Sequence, residues 1–202
     1  MLKSSRPISS TLKENACVLE AVSPLGGFTA SHNDVTIAEI TGRSIVSIAV
    51  PNGGLAALKT AVSKQMKLDL PGPGRLTRTK SGDAMLVWTS PDQFLYLFDE
   101  MGSHPAKSVG TALAGKAHVT DQSDAWACLE IAGSRKPEAL ERICPIDLHP
   151  DKFETGMATR TMIEHLGMLI LRDQSDRFLV LSARSSAQSM LQAIEISAKN
   201  IV

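Results

Sequence analysis

Strand-forming runs in this chain come in turn-punctuated pairs, each group followed by a helical pattern, and that rhythm restricts the architecture more than any single motif. Residues 84–89 and 94–98 are rich in aliphatic and aromatic side chains and are separated by Ser90-Pro91-Asp92, while Ser81-Gly82-Asp83 divides 84–89 from an earlier run at 75–80. A helical pattern near 103–114 follows them. The second half repeats the order. Strands are expected at 117–120 and 125–131, a helix at 134–143, strands at 158–165, 168–172 and 177–182, and a closing helix at 186–199 that sets Met190, Leu191 and Ile194 on one face. Strict strand-helix-strand alternation is missing, so a doubly wound parallel sheet is excluded. An α+β fold of two-layer sandwiches is expected instead.

The first half carries two further expectations. Residues 1 to about 34 mix Ser, Thr, Pro, Gly and charge without sustained period and read as an irregular arm. Runs at 35–40 and 44–50 flank Thr41-Gly42 and read as a hairpin, and Asn52-Gly53-Gly54 then opens a helix with Leu55, Leu58, Val62 and Met66 on its buried stripe. At 202 residues the chain has room for two such units, and a globule of this size buries about 70% of its unfolded surface. The tetrapeptide DQSD occurs at 121–124 and again at 173–176 in unlike contexts, which is coincidence and not a repeat.

Charge and cysteine usage narrow the partners. Twenty-one basic residues balance 21 acidic ones without a run of either sign, so neither nucleic acid nor an anionic membrane surface is expected as a partner. Cys17, Cys128 and Cys144 are an odd number without CxxC spacing, which fits reduced thiols in the cytoplasm. No apolar stretch approaches the length of a membrane span.

The densest cluster of reactive residue types is ICPIDLHPDKF at 143–153. Zinc would need further ligands at suitable spacing, and none accompany Cys144 and His149. A nucleophilic Cys144 with His149 or His165 as base would need its thiol pKa depressed, yet Cys144 ends a helical stripe, where the dipole opposes a thiolate. The segment reads as a helix stop at Pro145 followed by a packed corner. Ser81, Ser185 and Ser186 lack a nucleophile-elbow context, and no phosphate-binding glycine motif is present. His32, His104, His118, His149 and His165 are scattered. Trp88 and Trp126 read as core or interface anchors. Arg160, Arg172, Arg177 and Arg184 lie on or beside the last strands, where they either clamp an anion or are solvated strand ends.

Taken together, VTDQSDAWACLEIAGSRKPEALERICPIDLHPDKFETGMATRTMIEHLGMLILR, FLVLSARSSAQSM and WTSPDQFLYLF, spread over about residues 85–191, resemble the gamma subunit family of heterotetrameric sarcosine oxidases. The resemblance implies a noncatalytic accessory subunit of a cytoplasmic flavoenzyme that oxidises sarcosine to glycine, produces hydrogen peroxide and transfers the one-carbon unit to tetrahydrofolate. It implies alpha, beta and delta subunits as partners, with FAD, FMN, NAD, zinc and tetrahydrofolate on those partners and no cofactor, metal or catalytic residue on this chain. That family is similar to the folate-binding aminomethyltransferase of the glycine cleavage system, with which this sequence shares Asp121-Gln122-Ser123 and the Gly156-to-Thr161 spacing. The resemblance implies an aminomethyltransferase-like unit of residues 1–51 plus 117–202, with 52–116 inserted as a ferredoxin-like module. Where the aminomethyltransferases carry an acidic pair, this chain has Glu164-His165-Leu166-Gly167. The alternative is a freestanding folate-binding one-carbon transferase that uses Glu164 or Asp121.

Overall fold

A computed structural model of the chain describes residues 22–99 and 104–202. Most of the arm expected at the N-terminus, together with Cys17 and the first residue of the helix expected at 103–114, lies outside the described residues.

The chain forms β1 (Thr29–His32), β2 (Val35–Glu39), β3 (Ser44–Ala49), α1 (Leu55–Ala61), β4 (Leu76–Arg78), β5 (Ala84–Ser90) and β6 (Gln93–Phe98). It continues with α2 (Pro105–Ala112), β7 (His118–Asp121), β8 (Trp126–Ala132), α3 (Lys136–Glu141), β9 (Met157–Ile163), β10 (Leu166–Gln174), β11 (Arg177–Ala183) and α4 (Ala187–Lys199). Two antiparallel sheets result. The first has six strands in the order β1-β2-β8-β11-β10-β9, and the second has five in the order β4-β5-β6-β3-β7.

Alternation along each strand explains how the layers stack. On β10, Met168 and Ile170 join a core with Ala139 and Leu140 of α3 and Met190, Leu191 and Ile194 of α4, while Leu169 and Leu171 point the other way. Those second-face residues, with Leu179 and Leu181 of β11, pack against Met85, Val87, Leu95 and Leu97 of the other sheet. The outward face of that sheet, including Val46, Ile48, Leu86 and Phe94, then buries Leu58 of α1 and Val109 of α2. Two helix-on-sheet sandwiches are therefore pressed sheet to sheet, giving layers in the order helix, sheet, sheet, helix. Each fully buried aliphatic side chain contributes about 1.5–3 kcal/mol, so the middle layer is a large share of the stabilisation.

Two expectations from the sequence change. The runs at 35–40 and 44–50 do not form a hairpin: β2 pairs with β1 and β8, whereas β3 pairs with β6 and β7. Between them the chain crosses from one sheet to the other, with Gly42 at φ 79° where a left-handed residue redirects the backbone. The last part of the expected arm is also ordered. β1 folds back on β2 through Asn33 (φ 48°) and Asp34 (φ 62°), a pair of left-handed residues whose twist matches that of an antiparallel hairpin. In α1 Leu58 is buried, as is Val62 just after it, whereas Leu55 in the first turn is 52% exposed. A π-helical turn over Val62–Met66 continues α1 and ends at left-handed Lys67.

The sheets are joined at their rims as well. A second crossing follows β7, and Gln122 N–H donates to the Ile45 carbonyl while Ile40 N–H donates to that of Cys128 (2.8 and 2.9 Å). At another edge, Leu76 N–H donates to Gly156 O and Ala158 N–H to Gly74 O, at 2.8 and 3.0 Å. Sheet membership therefore changes near residues 40–43 and 122–125, and β3 and β7, which flank the 52–116 span, hydrogen-bond within the second sheet.

Gly133 illustrates how little slack the β1-β2 hairpin leaves. It ends β8 at φ 104°, and a Cβ there would stand 2.0 Å from the Asp34 carbonyl oxygen. Gly133→Ala is expected to lower stability by more than about 2 kcal/mol, combining backbone strain with that overlap. A urea titration followed by circular dichroism measures it, and a midpoint within error of the parent chain would contradict this packing.

Candidate functional site

The segment 143–153 is a corner. Cys144 N–H donates to the Leu140 carbonyl at 2.8 Å and closes α3, and its side chain is buried with Leu148 and Phe153 in the helix-side core. Asp147 Oδ1 accepts from His149 N–H at 3.0 Å, and the His149 carbonyl accepts from Lys152 and Phe153 N–H, both at 2.9 Å. The polar residues thus hold a bend that drives Leu148 and Phe153 inward. The His149 ring is exposed, 3.5 Å from the still more exposed Asp151 carboxylate.

The four arginines separate into two groups. Arg172 is buried, donating to the Phe153 carbonyl at 2.7 Å with its guanidinium 5.5 Å above the Phe178 ring. Arg177 forms a fork with Asp173, at 3.1 and 2.7 Å, and also donates to Glu130. Asp173, with a fully buried side chain, lies 3.7 Å from Arg78 as well. These partners hold the Arg177 guanidinium in its charged form, Asp173 most strongly, and raise its pKa. This is an internal network tying β4, β8, β10 and β11 together, and Asp173 and Glu130 occupy the Arg177 head. Arg160 is exposed on β9, and Arg184 is half-exposed, donating to the Val22 carbonyl.

Asp121 closes β7 and accepts from Ser123 N–H and Oγ–H at 3.0 and 2.8 Å, while Ser123 Oγ accepts from Ile45 N–H at 3.1 Å. The Asp-x-Ser sequence therefore clamps the second crossing to the start of β3. Glu164 sits at the tip of the β9-β10 hairpin at φ 52°, exposed beside exposed His165. Its N–H donates to the Ile143 carbonyl, and the tip borders an open groove of about 500 Å3 shared with Leu166, Ala193 and Ile196. Nothing brings Glu164, Asp121, Cys144 and His149 together. Among the described residues no group of three or more His, Cys, Asp or Glu is placed to hold a metal ion, and no helix is long and apolar enough to cross a membrane.

His32 pairs with Glu195 at 3.1 Å, whereas His104 and His118 are exposed at the starts of α2 and β7. Ser81 donates to Asp83, and Ser185 is exposed beside half-buried Ser186 ahead of α4. Trp88 packs on the helix side of the second sheet. Trp126 lies on the inter-sheet side, half-buried, with no partner for its indole N–H among the described residues. It lines a cavity of about 690 Å3 at the two crossings, which sequence pattern did not suggest because its residues come from segments far apart in the chain.

Two stacked, antiparallel sheets with helices outside and their chain crossings at one rim define the class: the fold is that of the aminomethyltransferases. The glycine cleavage system aminomethyltransferase T from Bartonella henselae superposes with a TM-score of 0.57 at 11% identity, over 89% of this chain and 54% of that one. A chain of the heterotetrameric sarcosine oxidase from Corynebacterium sp. U-96, solved in complex with pyrrole 2-carboxylate, superposes with a TM-score of 0.76 at 22% identity, over 90% of this chain and 97% of that one. The model of the sarcosine oxidase gamma subunit family matches residues 52–198. Sarcosine oxidase subunit gamma from Corynebacterium sp. (strain P-1) is 31% identical over 153 residues, covering 75% of this chain and 73% of the relative. Its counterpart from Arthrobacter sp. is 33% identical over 150 residues, covering 73% and 71%. The chain belongs to the sarcosine oxidase gamma subunit family.

Two expectations follow from the inner packing. Asp173→Asn leaves the Arg177 head short of its fork and is expected to cost about 3 kcal/mol or more. Denaturant unfolding of the variant measures this, and a loss under about 1 kcal/mol would mean the network is not a unit. Burial pushes the Cys128 thiol from 9.0 up to about 12. Below pH 9 folded and unfolded chains both keep that proton; above it the unfolded chain ionises first, so stability falls as pH rises from 9 toward 12. Urea midpoints at about pH 8 and about pH 10.5 should therefore differ more for the parent than for Cys128→Ala.

Proposed function

We propose that this chain is a noncatalytic accessory subunit of a heterotetrameric sarcosine oxidase, docking on the large subunits and stabilising them while they oxidise sarcosine to glycine. The observation that carries the reading is the family match over residues 52–198, which spans strands of both sheets and the second chain crossing. In this reading the alpha, beta and delta subunits are the partners, and the assembly works in the cytoplasm. FAD, FMN, NAD, zinc and tetrahydrofolate are held by the partners, which release hydrogen peroxide and pass the one-carbon unit to folate.

What the side chains are engaged in supports a structural role. Asp121 is committed to a turn, Cys144 to a core, and Arg172 and Arg177 to internal partners. Glu164 stands at a hairpin tip in the position where the related transferases carry an acidic pair, and a general base needs a substrate proton within hydrogen-bond reach. We read 52–116 as a module inserted into an aminomethyltransferase-like unit of 1–51 plus 117–202, the module relying on β3 and β7 to complete its sheet.

Co-expression of the four subunits, with and without this chain, tests the reading. Omitting it is expected to abolish or sharply reduce recovery of the assembled oxidase, while Glu164→Gln in the full assembly leaves sarcosine turnover within about twofold, as for a surface substitution away from the chemistry. Tight binding of tetrahydrofolate by the lone chain, lost in Glu164→Gln, would instead establish the folate-binding transferase.

A further inference from the structure

Four strands end the two sheets, and three of them are short: β1 and β7 have four residues each, and β4 has three. β9 has seven. A long unpaired edge invites a further strand, and natural proteins guard such edges with proline, bulges or short length. β9 contains no proline, and its register with β10 runs from Met157 to Ile163 without a bulge.

Two observations fix which backbone groups of β9 face outward. Ile163 and Leu166 close the hairpin across the tip formed by Glu164 and His165, so the peptide groups of Ile163, Thr161 and Thr159 face β10. Ala158 N–H points the other way, donating to Gly74 O at 3.0 Å, and Glu164 N–H leaves the hairpin for the Ile143 carbonyl at 3.1 Å. Between these two anchors the N–H groups of Arg160 and Met162 point away from the sheet, and among the described residues neither has an acceptor. The Arg160 carbonyl receives Thr159 Oγ1–H at 3.3 Å and no backbone donor from outside the sheet. Both side chains are exposed, Met162 by 48%, and lie on the face where Ala158 is still covered by the second sheet. Among the described residues no carboxylate pairs with the Arg160 head.

We propose that this stretch of β9 is the edge on which a partner subunit docks, adding an extended segment to the six-stranded sheet through the outward N–H and C=O groups of Arg160 and Met162. The segment sets a carboxylate side chain on Arg160 and an apolar one against Met162; in such additions main-chain hydrogen bonds give affinity and alternate side chains give specificity. Charge favours this occupant over a second copy of the chain. Two β9 strands paired about a two-fold axis through these groups would place both Arg160 heads on one face within diagonal reach, where like charges repel. The inference rests on the accessory reading and names the surface that reading requires.

Amide hydrogen exchange in the lone chain and in the co-expressed four-subunit assembly, read residue by residue by fragmentation mass spectrometry, tests it. Thr161 is expected to be protected in both samples, whereas Arg160 and Met162 exchange fast in the lone chain and slow by at least about tenfold in the assembly, the effect of one net hydrogen bond each. Met162→Pro removes an outward N–H while leaving the β9-β10 ladder whole, and Arg160→Glu reverses the charge. Each is expected to lower recovery of this chain with its partners at least about tenfold, with circular dichroism of the lone variants reporting their fold. If a variant does not fold, exchange in the parent chain decides. A chain that assembles while Arg160 and Met162 stay fast overturns the docking edge and leaves the accessory reading standing; a chain that joins no partner overturns both. Protection of the same amides in a dimer of the lone chain would assign the edge to a second copy and overturn the proposal.

Discussion

Contact between the two sheets is the constraint on which the rest of this structure depends. A helix-covered sheet usually leaves its other face to solvent, but here Leu169, Leu171, Leu179 and Leu181 of one sheet meet Met85, Val87, Leu95 and Leu97 of the other. Strands buried on both faces need apolar residues at nearly every position, and β10 and β11 have them. Charge enters that layer only at its border, where the Arg177–Asp173 fork and Glu130 satisfy one another. Both helix layers then take their positions from sheets already fixed by their mutual packing.

Asp121-Gln122-Ser123 and Gly156 fall at the seams of this arrangement. Asp121 and Ser123 fasten the second crossing to β3, and Gly156 accepts from Leu76 of the opposite sheet. Residue types that suggest chemistry in a bare sequence are here occupied with holding two sheets in register. Glu164 shows the complementary case, an exposed carboxylate at the tip of the β9-β10 hairpin whose backbone N–H ties that tip to the Ile143 carbonyl.

Much of this was legible in the sequence. Turn-bounded apolar runs located β4 to β11, and the stripe of Met190, Leu191 and Ile194 located α4, because local periodicity decides those elements. The packed corner at 143–153 was legible for a similar reason: Pro145 stops the helix, and Ile146 and Leu148 pack as the chain turns, with Leu148 fully buried, Ile146 half-buried and Phe153 joining them in the structure. Pairing was less legible. Thr41-Gly42 looks like a hairpin turn from either side, and only the partners β8 and β6, far away in sequence, decide that the chain crosses between sheets there. The same limit hid the lining of the crossing cavity, where Arg43, Trp126 and Arg184 converge from three separate segments, and it left Arg172 and Arg177 ambiguous until Phe153, Asp173 and Glu130 were seen beside them.

Both crossings lie side by side, at Ile40 beside Cys128 and Gln122 beside Ile45, so everything between them is a single excursion that leaves the six-stranded sheet and returns to the same point. Cutting out that excursion and splicing its ends would need only a short bridge. The trimmed remainder would keep its helices but bare a leucine-rich sheet face, and such a surface finds cover by pairing with another copy of itself or by precipitating.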